Sequence, residues 1–303
     1  MTNTGQVVVA AASRSSERAQ AFADTHGLAR AYGSYEQLVA DPDIDIVYIA
    51  APHSEHRALA LLAIAAGKHV LVEKPIALNA LEAREIAEAA RTAGVFAMEA
   101  MWSRFLPQTS IIEQLLADRA LGDVLTVTAD FGAVFNFDPL HRAFNPALGG
   151  GALLDIGVYP AWFAHFVLGA PQRVTATGTL ASTGVDDQAA FILDYASGAQ
   201  AALTTSMRVA TPLAAVASGT IARIELPTQF MGPSGLRFIV DGGETVEWQD
   251  ATGFKWRDGL CYQTTAVAQH IADGLTESPL HTLDDSIAVL EVLDEARAQV
   301  GVA

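Results

Sequence analysis

Short apolar runs alternate with helical patterns over the first hundred residues of this chain. The apolar runs are rich in Val and Ile and lie at residues 7–9, 44–50, 69–72 and 95–98. The helical patterns occupy residues 16–26, 54–66 and 79–93, and each is followed by a glycine, a common stop signal. Apolar strands that alternate with helices are typical of a parallel sheet covered on both faces. The alternation therefore predicts a doubly wound α/β domain of the Rossmann type.

A different pattern begins after Met101. Residues 123–134 alternate with a period of two, and a Gly-rich turn at residues 149–151 leads into an apolar helix that ends near Leu168. Strand-like runs follow at residues 173–180, 189–195, 199–207, 220–226, 236–240 and 245–248, and helical patterns at 262–274 and 284–299. We predict a dinucleotide-binding domain at residues 1–101 and an α+β domain with a large, mainly antiparallel sheet at residues 102–303.

The charge balance excludes one class of partner. The chain of 303 residues carries 18 Lys and Arg against 34 Asp and Glu, a net charge of −16. Such an acidic surface repels phosphate backbones, so we expect no nucleic-acid partner. No charged segment followed by an apolar run opens the chain, so we expect no signal peptide. The apolar stretch at residues 156–172 is interrupted by proline and glycine, so we expect no membrane span. The single Cys261 forms no internal disulfide, which is typical of a cytoplasmic protein.

Ser13 and Arg14 follow the first apolar run. In a dinucleotide-binding fold, an acidic residue after the second strand binds the ribose 2′-hydroxyl, whereas a basic one accommodates a 2′-phosphate. Ser13 and Arg14 offer a hydroxyl and a planar cation, which favours NADP over NAD. The alternative is an ordinary helix N-terminus with Ser15 or Ser16 as the cap and a solvated Arg14.

Polar residues also follow the run at residues 44–50. The segment continues as Ala51, Pro52 and His53, with His56 three residues further on. Two histidines at this spacing suggest a metal, but no third ligand stands at a recognisable distance along the chain, so we predict no metal site. We expect a turn that passes beneath a bound nicotinamide or ribose.

Glu73, Lys74 and Pro75 follow the run at residues 69–72. Burial disfavours a lysine charge, so a lysine at the end of a buried strand calls for an explanation. At the mouth of a crevice, Lys74 could bind a substrate oxygen and stabilise charge there. The alternative is an exposed lysine in an ordinary loop.

Asp155 and Tyr159 lie four residues apart in the apolar helix, and hence on one face. A tyrosine beside a lysine ammonium can have its pKa lowered and can exchange a proton. Taken alone, the pair is equally typical of a helix-surface tyrosine bonded to a carboxylate one turn earlier.

Two of these motifs together resemble a known family. Ala-Gly-Lys-His-Val-Leu-Val-Glu-Lys-Pro at residues 66–75, followed by Gly-Gly-Gly at 149–151 and Asp-Ile-Gly-Val-Tyr at 155–159, is similar to the Gfo/Idh/MocA oxidoreductases. Many members have His where Tyr159 stands, and Tyr there resembles the branch of dihydrodiol dehydrogenase and NADP-dependent D-xylose dehydrogenase.

The resemblance implies an NADP-dependent oxidoreductase that transfers hydride between nicotinamide and a ring carbon of a sugar or cyclic diol. It implies Lys74 and Tyr159 as the catalytic pair, with Asp155 orienting substrate hydroxyls. It also implies aromatic residues over the substrate pocket, which Trp102, Phe131 and Phe254 match. A homodimer formed through the sheet of the second domain is implied as well.

The sequence departs from the family at its beginning. The family starts with a strand and a Gly-x-Gly-x-x-Gly turn that binds the pyrophosphate, and this sequence contains no such turn. Residues 7–9 then correspond to the second strand, so the Rossmann-type domain lacks its first. We expect that the native protein starts upstream of Met1. Otherwise the chain folds with a gapped sheet and is a non-catalytic sugar- or nucleotide-binding protein, or an inactive form.

Overall fold

The computed structural model describes residues 4–302. Its first part contains five short parallel strands and four helices. In chain order these are β1 (Ala10–Ala12), α1 (Ser16–His26), β2 (Arg30–Tyr32), α2 (Tyr35–Val39), β3 (Ile46–Ile49), α3 (His56–Ala65), β4 (His69–Glu73), α4 (Ala80–Ala93) and β5 (Ala97–Ala100). The predicted helices form where expected, and the amide of Glu82 donates to the side chain of Asn79, which caps α4, at 2.9 Å.

The parallel strands lie in two separate sheets. Strand β1 pairs with β2, and β3 pairs with β4, which pairs with β5. The prediction of a strand at residues 7–9 is wrong by three positions, because Ala10–Ala12 form the ladder with β2 while Val7 is 80% exposed. Strand β2 and helix α2 were not predicted, since segments of three and five residues are too short to show a period.

The second part is built on one eight-stranded sheet. Its strands are β6 (Val124–Gly132), β7 (Arg173–Leu180), β8 (Asp186–Asp194), β9 (Gln200–Ser206), β10 (Ala215–Gly219), β11 (Ala222–Leu226), β12 (Gly235–Val240) and β13 (Thr245–Gln249). They are ordered β13-β12-β11-β10-β6-β9-β8-β7, and every pair is antiparallel except β6 with β9. The prediction of a parallel sheet joined to a large, mainly antiparallel one is confirmed. Strand β10 was not predicted.

Four helices belong to this part: α5 (Pro107–Ala117), α6 (Val158–Leu168), α7 (Leu260–Ala272) and α8 (Leu283–Val300). Helix α6 packs on β6 and β9, and α8 packs on α6, β7 and α4. The division of the chain into two domains at residue 101 stays a prediction, because α8, from the end of the chain, packs on α4 of the first part. The stretch Pro146–Leu168 is long and apolar enough to cross a membrane, but 78% of its most apolar window is buried within the protein. This burial is that of a core segment.

Helix α6 is preceded by a wider turn. Residues Leu153–Gly157 form a π-helical turn instead of continuing the α-helix, so Asp155 lies in this turn and Tyr159 in the first turn of α6. Pro160, five residues after Asp155, has no N–H to give to the Asp155 carbonyl. That carbonyl is therefore open to another donor.

Candidate active site

The end of β4 meets the π-helical turn. The ammonium Nζ of Lys74 lies 3.1 Å from Oδ1 of Asp155 and also donates to the backbone carbonyl that Pro160 leaves open. The amide of Asp155 donates to the carbonyl of Gly151 at 3.1 Å, and Gly151 has a φ of +127° that favours glycine. The two motifs singled out from the sequence thus meet in one site.

Tyr159 also lies close to the Lys74 ammonium. The Nζ atom of Lys74 is 5.2 Å from the centroid of the tyrosine ring. The hydroxyl of Tyr159 accepts a hydrogen bond of 2.9 Å from Nε1 of Trp102 and donates none to the Asp155 carboxylate. Burial raises the pKa of Tyr159, while the Lys74 charge and the Trp102 N–H act in the opposite direction by favouring the phenolate.

Asp155 carries the negative charge of the site. Burial alone would raise its pKa, but the positive charges of Lys74 and Arg142 hold it well below the usual range. The Nη1 atom of Arg142 lies 3.1 Å from Oδ1 of Asp155. Burial likewise disfavours the Lys74 charge, but Asp155, Tyr159 and Glu73 together outweigh it and the pKa of Lys74 is raised. Both groups are therefore charged at neutral pH.

The two histidines are buried and bind backbone carbonyls. His53 Nδ1 lies 3.0 Å from the carbonyl of Gly149, and Nε2 lies 3.9 Å from Asp155. Burial, followed by the nearby Lys74 charge, lowers the pKa of His53 to about 4, so it is neutral at pH 7. The ring nitrogens of His56 lie 2.8 and 2.9 Å from the carbonyls of Pro75 and Ala51. His56 thus links the turns that follow β3 and β4.

These contacts account for both histidines without a metal. Residues 4–302 contain no group of three or more His, Cys, Asp or Glu side chains that could hold a metal ion. Pro52 leads into the short 3-10 turn that carries His53, and the Lys74–Pro75 peptide bond is cis. Glu73 accepts a hydrogen bond from the hydroxyl of Tyr48 on β3.

Ser13 and Arg14 lie at the carboxyl end of β1. The Ser13 hydroxyl accepts from the amide of Ser15 at 3.3 Å, and Ser15 in turn caps α1. The side chain of Arg14 is 72% exposed, and its guanidinium lies 3.7 Å from a carboxylate oxygen of Glu55. The structure thus contains the features of both alternatives, since Ser15 caps α1 and the Arg14 guanidinium is accessible.

The aromatic residues divide into two groups. Phe131 lies beside Tyr159, with ring centroids 5.5 Å apart, and Trp102 binds the tyrosine hydroxyl. Phe254 packs instead on Tyr262, with centroids 5.9 Å apart. The ring that packs edge-on against Trp102 is Trp256, at 6.2 Å.

Arg142 and Trp256 were missed by sequence reasoning. Arg142 lies in a loop, and Trp256 begins a four-residue 3-10 turn that is too short to show a period and has a positive φ of 48°. No spacing rule places such residues next to Asp155 or Trp102. The only signal was the residue type, a cation and a large aromatic ring outside the predicted strands.

Two family models match this chain. Residues 1–101 match the Gfo/Idh/MocA oxidoreductase family model, described as an NAD-binding Rossmann fold, and residues 110–225 match the Gfo/Idh/MocA C-terminal domain. The chain is 42% identical over 301 residues to trans-1,2-dihydrobenzene-1,2-diol dehydrogenase from Xenopus laevis, covering 97% of this chain and 90% of that protein. The enzyme of the same name from Homo sapiens is 37% identical, at 97% and 89% coverage.

Solved structures share the same architecture. An aldose-aldose oxidoreductase from Caulobacter crescentus complexed with glycerol superposes with a TM-score of 0.86 at 27% identity, covering 97% of this chain and 89% of that one. A 3-ketoreductase from Actinomadura kijaniata in complex with TDP-benzene and NADP superposes with a TM-score of 0.81 at 26% identity and the same coverage. The chain is therefore a dehydrogenase acting on a CH–OH group that belongs to the Gfo/Idh/MocA oxidoreductase family and groups there with the dihydrodiol dehydrogenases.

Proposed function

We propose that this enzyme transfers hydride between NADP and a hydroxyl-bearing ring carbon of a trans-dihydrodiol or related cyclic diol, with sugars of the D-xylose type as the second substrate class. The observation that carries the proposal is the convergence of Lys74, Asp155 and Tyr159 in one buried site. The aromatic rings of Trp102 and Phe131 beside these polar groups suit a flat, largely apolar ring with two hydroxyls. The identity to trans-dihydrodiol dehydrogenases supports this order of preference.

Each polar residue then has a role. The Tyr159 hydroxyl exchanges the proton of the reacting substrate hydroxyl, and the Lys74 charge stabilises the phenolate that forms. Asp155 keeps Lys74 charged and accepts a hydrogen bond from the neighbouring substrate hydroxyl. Arg142, which pairs with the same Oδ1 of Asp155 as Lys74, limits how far that carboxylate can turn. A bound nicotinamide supplies the hydride acceptor.

The strand ends fit two portions of a dinucleotide. Ser13 and the exposed Arg14 suit a 2′-phosphate, which supports NADP, with NAD less favoured. The residues that suit the nicotinamide ribose end are Ala51, Pro52, His53, His56, Glu73, Lys74 and Pro75. His56 is fully buried, so its part is to hold the two turns.

A second copy of the chain is the expected partner. The sheet face away from α6 carries small or apolar side chains such as Thr128, Ala190, Ile192, Ala202 and Thr204, all exposed. Such a flat face suits a two-fold homodimer. Sedimentation equilibrium tests this, and a monomer at micromolar concentration would contradict it.

Two substitutions test the catalytic proposal. We expect Tyr159→Phe and Lys74→Ala to lower kcat for diol oxidation by about 10³-fold, the usual contribution of a positioned acid–base group, with NADP affinity kept in Tyr159→Phe. Tyr195→Phe is the matched control, because the Tyr195 hydroxyl is also buried and has no hydrogen-bond partner among the described residues. Turnover that is unchanged in Tyr159→Phe would refute the assignment.

A non-catalytic binding protein is the second candidate. It is favoured by the separation of β1 and β3 into different sheets and by the lack of a Gly-x-Gly-x-x-Gly turn in the sequence. Calorimetry of the 303-residue chain with NADP, alongside an assay with trans-dihydrodiols, pentoses and hexoses, separates the two. Diol or sugar binding without turnover, even in the presence of NADP, favours the second candidate.

A further inference from the structure

A buried carboxylate–imidazole pair lies behind the active site and takes no part in the contacts described so far. Glu99 lies on β5 and stands opposite Val72 of β4 in the sheet register. Its Oε2 lies 2.9 Å from Nε2 of His281, and these residues are only 2% and 3% exposed. Two ionisable side chains buried at this depth call for a specific reason, because apolar residues of similar volume are often equally stabilising.

The other oxygen of Glu99 reaches the lysine turn. The amide of Ile76 donates to Oε1 of Glu99 at 3.0 Å. Ile76 comes two residues after Lys74, so this bond fixes the turn that carries Lys74. Glu99 itself has no hydrogen bond to Lys74, Asp155 or Tyr159.

The pair also ties this turn to the end of the chain. The Ser286 hydroxyl, on α8, lies 3.1 Å from Nε2 of His281. His281 immediately precedes Thr282, which caps α8. The lysine turn, β5 and α8 are thereby joined by one buried network of hydrogen bonds.

We propose that Glu99 is a positioning residue that, oriented by His281, holds the Lys74 turn so that Nζ stays between Asp155 and Tyr159. The inference rests on the proposed function for its catalytic consequence, but its structural content stands apart from it. The part of Glu99 that matters is an oxygen acceptor for the Ile76 amide. A variant that keeps this acceptor should keep the position of Lys74, and one that removes it should not.

Three variants separate these cases. Glu99→Gln retains a side-chain oxygen for the Ile76 amide, Glu99→Leu removes it at similar volume, and Glu99→Asp keeps the charge but is one methylene shorter. His165→Gln is the matched control, because His165 forms a 3.0 Å pair with Asp285 of α8 and does not reach the lysine turn.

Two readouts do not depend on catalysis. Hydrogen exchange of the Ile76 amide reports its bond to Glu99 directly. The chain has only three lysines, Lys68, Lys74 and Lys255, so ¹³C-lysine NMR resolves the Lys74 side chain and its titration. Steady-state kinetics and NADP calorimetry are measured beside these two readouts.

In Glu99→Leu we expect Ile76 to exchange about tenfold faster, the effect of losing one buried hydrogen bond, and the Lys74 resonance to move. We expect kcat to fall about tenfold, with NADP affinity unchanged and the apparent pKa of the kcat/KM profile displaced upward. Glu99→Gln and His165→Gln should resemble the wild type in all of these. If Glu99→Leu does not fold, Glu99→Asp should show the same changes to a smaller degree.

A folded Glu99→Leu, or Glu99→Asp in its place, with an unmoved Lys74 resonance overturns the proposal. So does a Glu99→Gln variant as impaired as the leucine variant, because the acceptor would then not be what matters. A wild-type protein without diol or sugar turnover would refute the proposed function alone. The exchange and NMR results would still decide whether Glu99 positions Lys74.

Discussion

Replacing Asp155 by asparagine removes the negative charge that three cationic or ionisable groups share. Lys74, whose side chain is 13% exposed, would keep its bond to the backbone carbonyl of residue 155 but lose its counter-charge. Removing one partner of a buried ion pair lowers the free energy of unfolding by about 3–5 kcal/mol. Because the carbonyl bond remains, we expect about 3 kcal/mol, or a Tm lower by about 6 °C.

The pH dependence of this effect has a defined sign. Asp155 raises the pKa of Lys74 in the folded protein. The stability contributed through Lys74 is therefore present below its unfolded pKa of about 10.4 and is lost as the pH rises through the folded value. In Asp155→Asn the Asp155 charge no longer opposes the effect of burial, so the pKa of Lys74 falls. The difference in the free energy of unfolding between the wild type and Asp155→Asn should then be largest near neutral pH and should become smaller at alkaline pH.

Urea unfolding of both proteins between neutral and alkaline pH measures this difference. Asp43→Asn is the control, since Asp43 forms an exposed pair with Arg30 and its loss should change the free energy of unfolding by less than about 1 kcal/mol. The double variant Lys74→Met/Asp155→Leu should be more stable than Asp155→Asn, although inactive, because it buries no unpaired charge. Equal midpoints for wild type and Asp155→Asn at every pH would refute this reasoning.

Three further outcomes are expected. Arg14→Glu should weaken NADP binding more than NAD binding, and an unchanged ratio of the two Kd values would count against a 2′-phosphate site. His53 has a folded pKa of about 4 against about 6.5 when unfolded, so the wild type should lose stability as the pH falls between these values, and His53→Gln should flatten that part of a urea-midpoint profile. Gly151→Ala should lower the free energy of unfolding by about 1–3 kcal/mol, because φ is positive and the new Cβ would meet Asp186. Gly242→Ala is the comparison for backbone strain alone, because Gly242 also has a positive φ but nothing lies near its new Cβ. Equal losses of unfolding free energy in the two variants would refute a contribution from the Asp186 contact.

Much of this fold was predictable wherever the sequence shows a hydrophobic period or a helix-capping residue. Helix α4 shows both, with Asn79 at its start and Gly94 at its end. Strand β10 was missed because Ala-Val-Ala-Ser-Gly is held by pairing with β6 and β11, which no local pattern records. The first strand was misplaced because β-branched residues mark propensity, whereas the ladder depends on where the partner strand lies.

The residues of the site also divide into those that the sequence predicts and those that it does not. Lys74, Asp155 and Tyr159 were found because each follows a recognisable run or turn. Arg142 and Trp256 were not, because they reach the site through irregular segments whose course is set by tertiary contacts. Chemistry placed on regular elements can be predicted from sequence, and chemistry placed on loops depends on the complete fold.

The π-helical turn before α6 sets a limit on how this protein can be stabilised. A procedure that rewards helix propensity would replace Gly157 and Pro160 by alanine and favour a regular α-helix over Leu153–Gly157. That change would return the Asp155 carbonyl to the helix ladder, take it away from the Lys74 ammonium and rotate the carboxylate. Thermostability gained in this segment would therefore be exchanged for activity, and the irregular turn is the part of the chain that an engineer should leave unchanged.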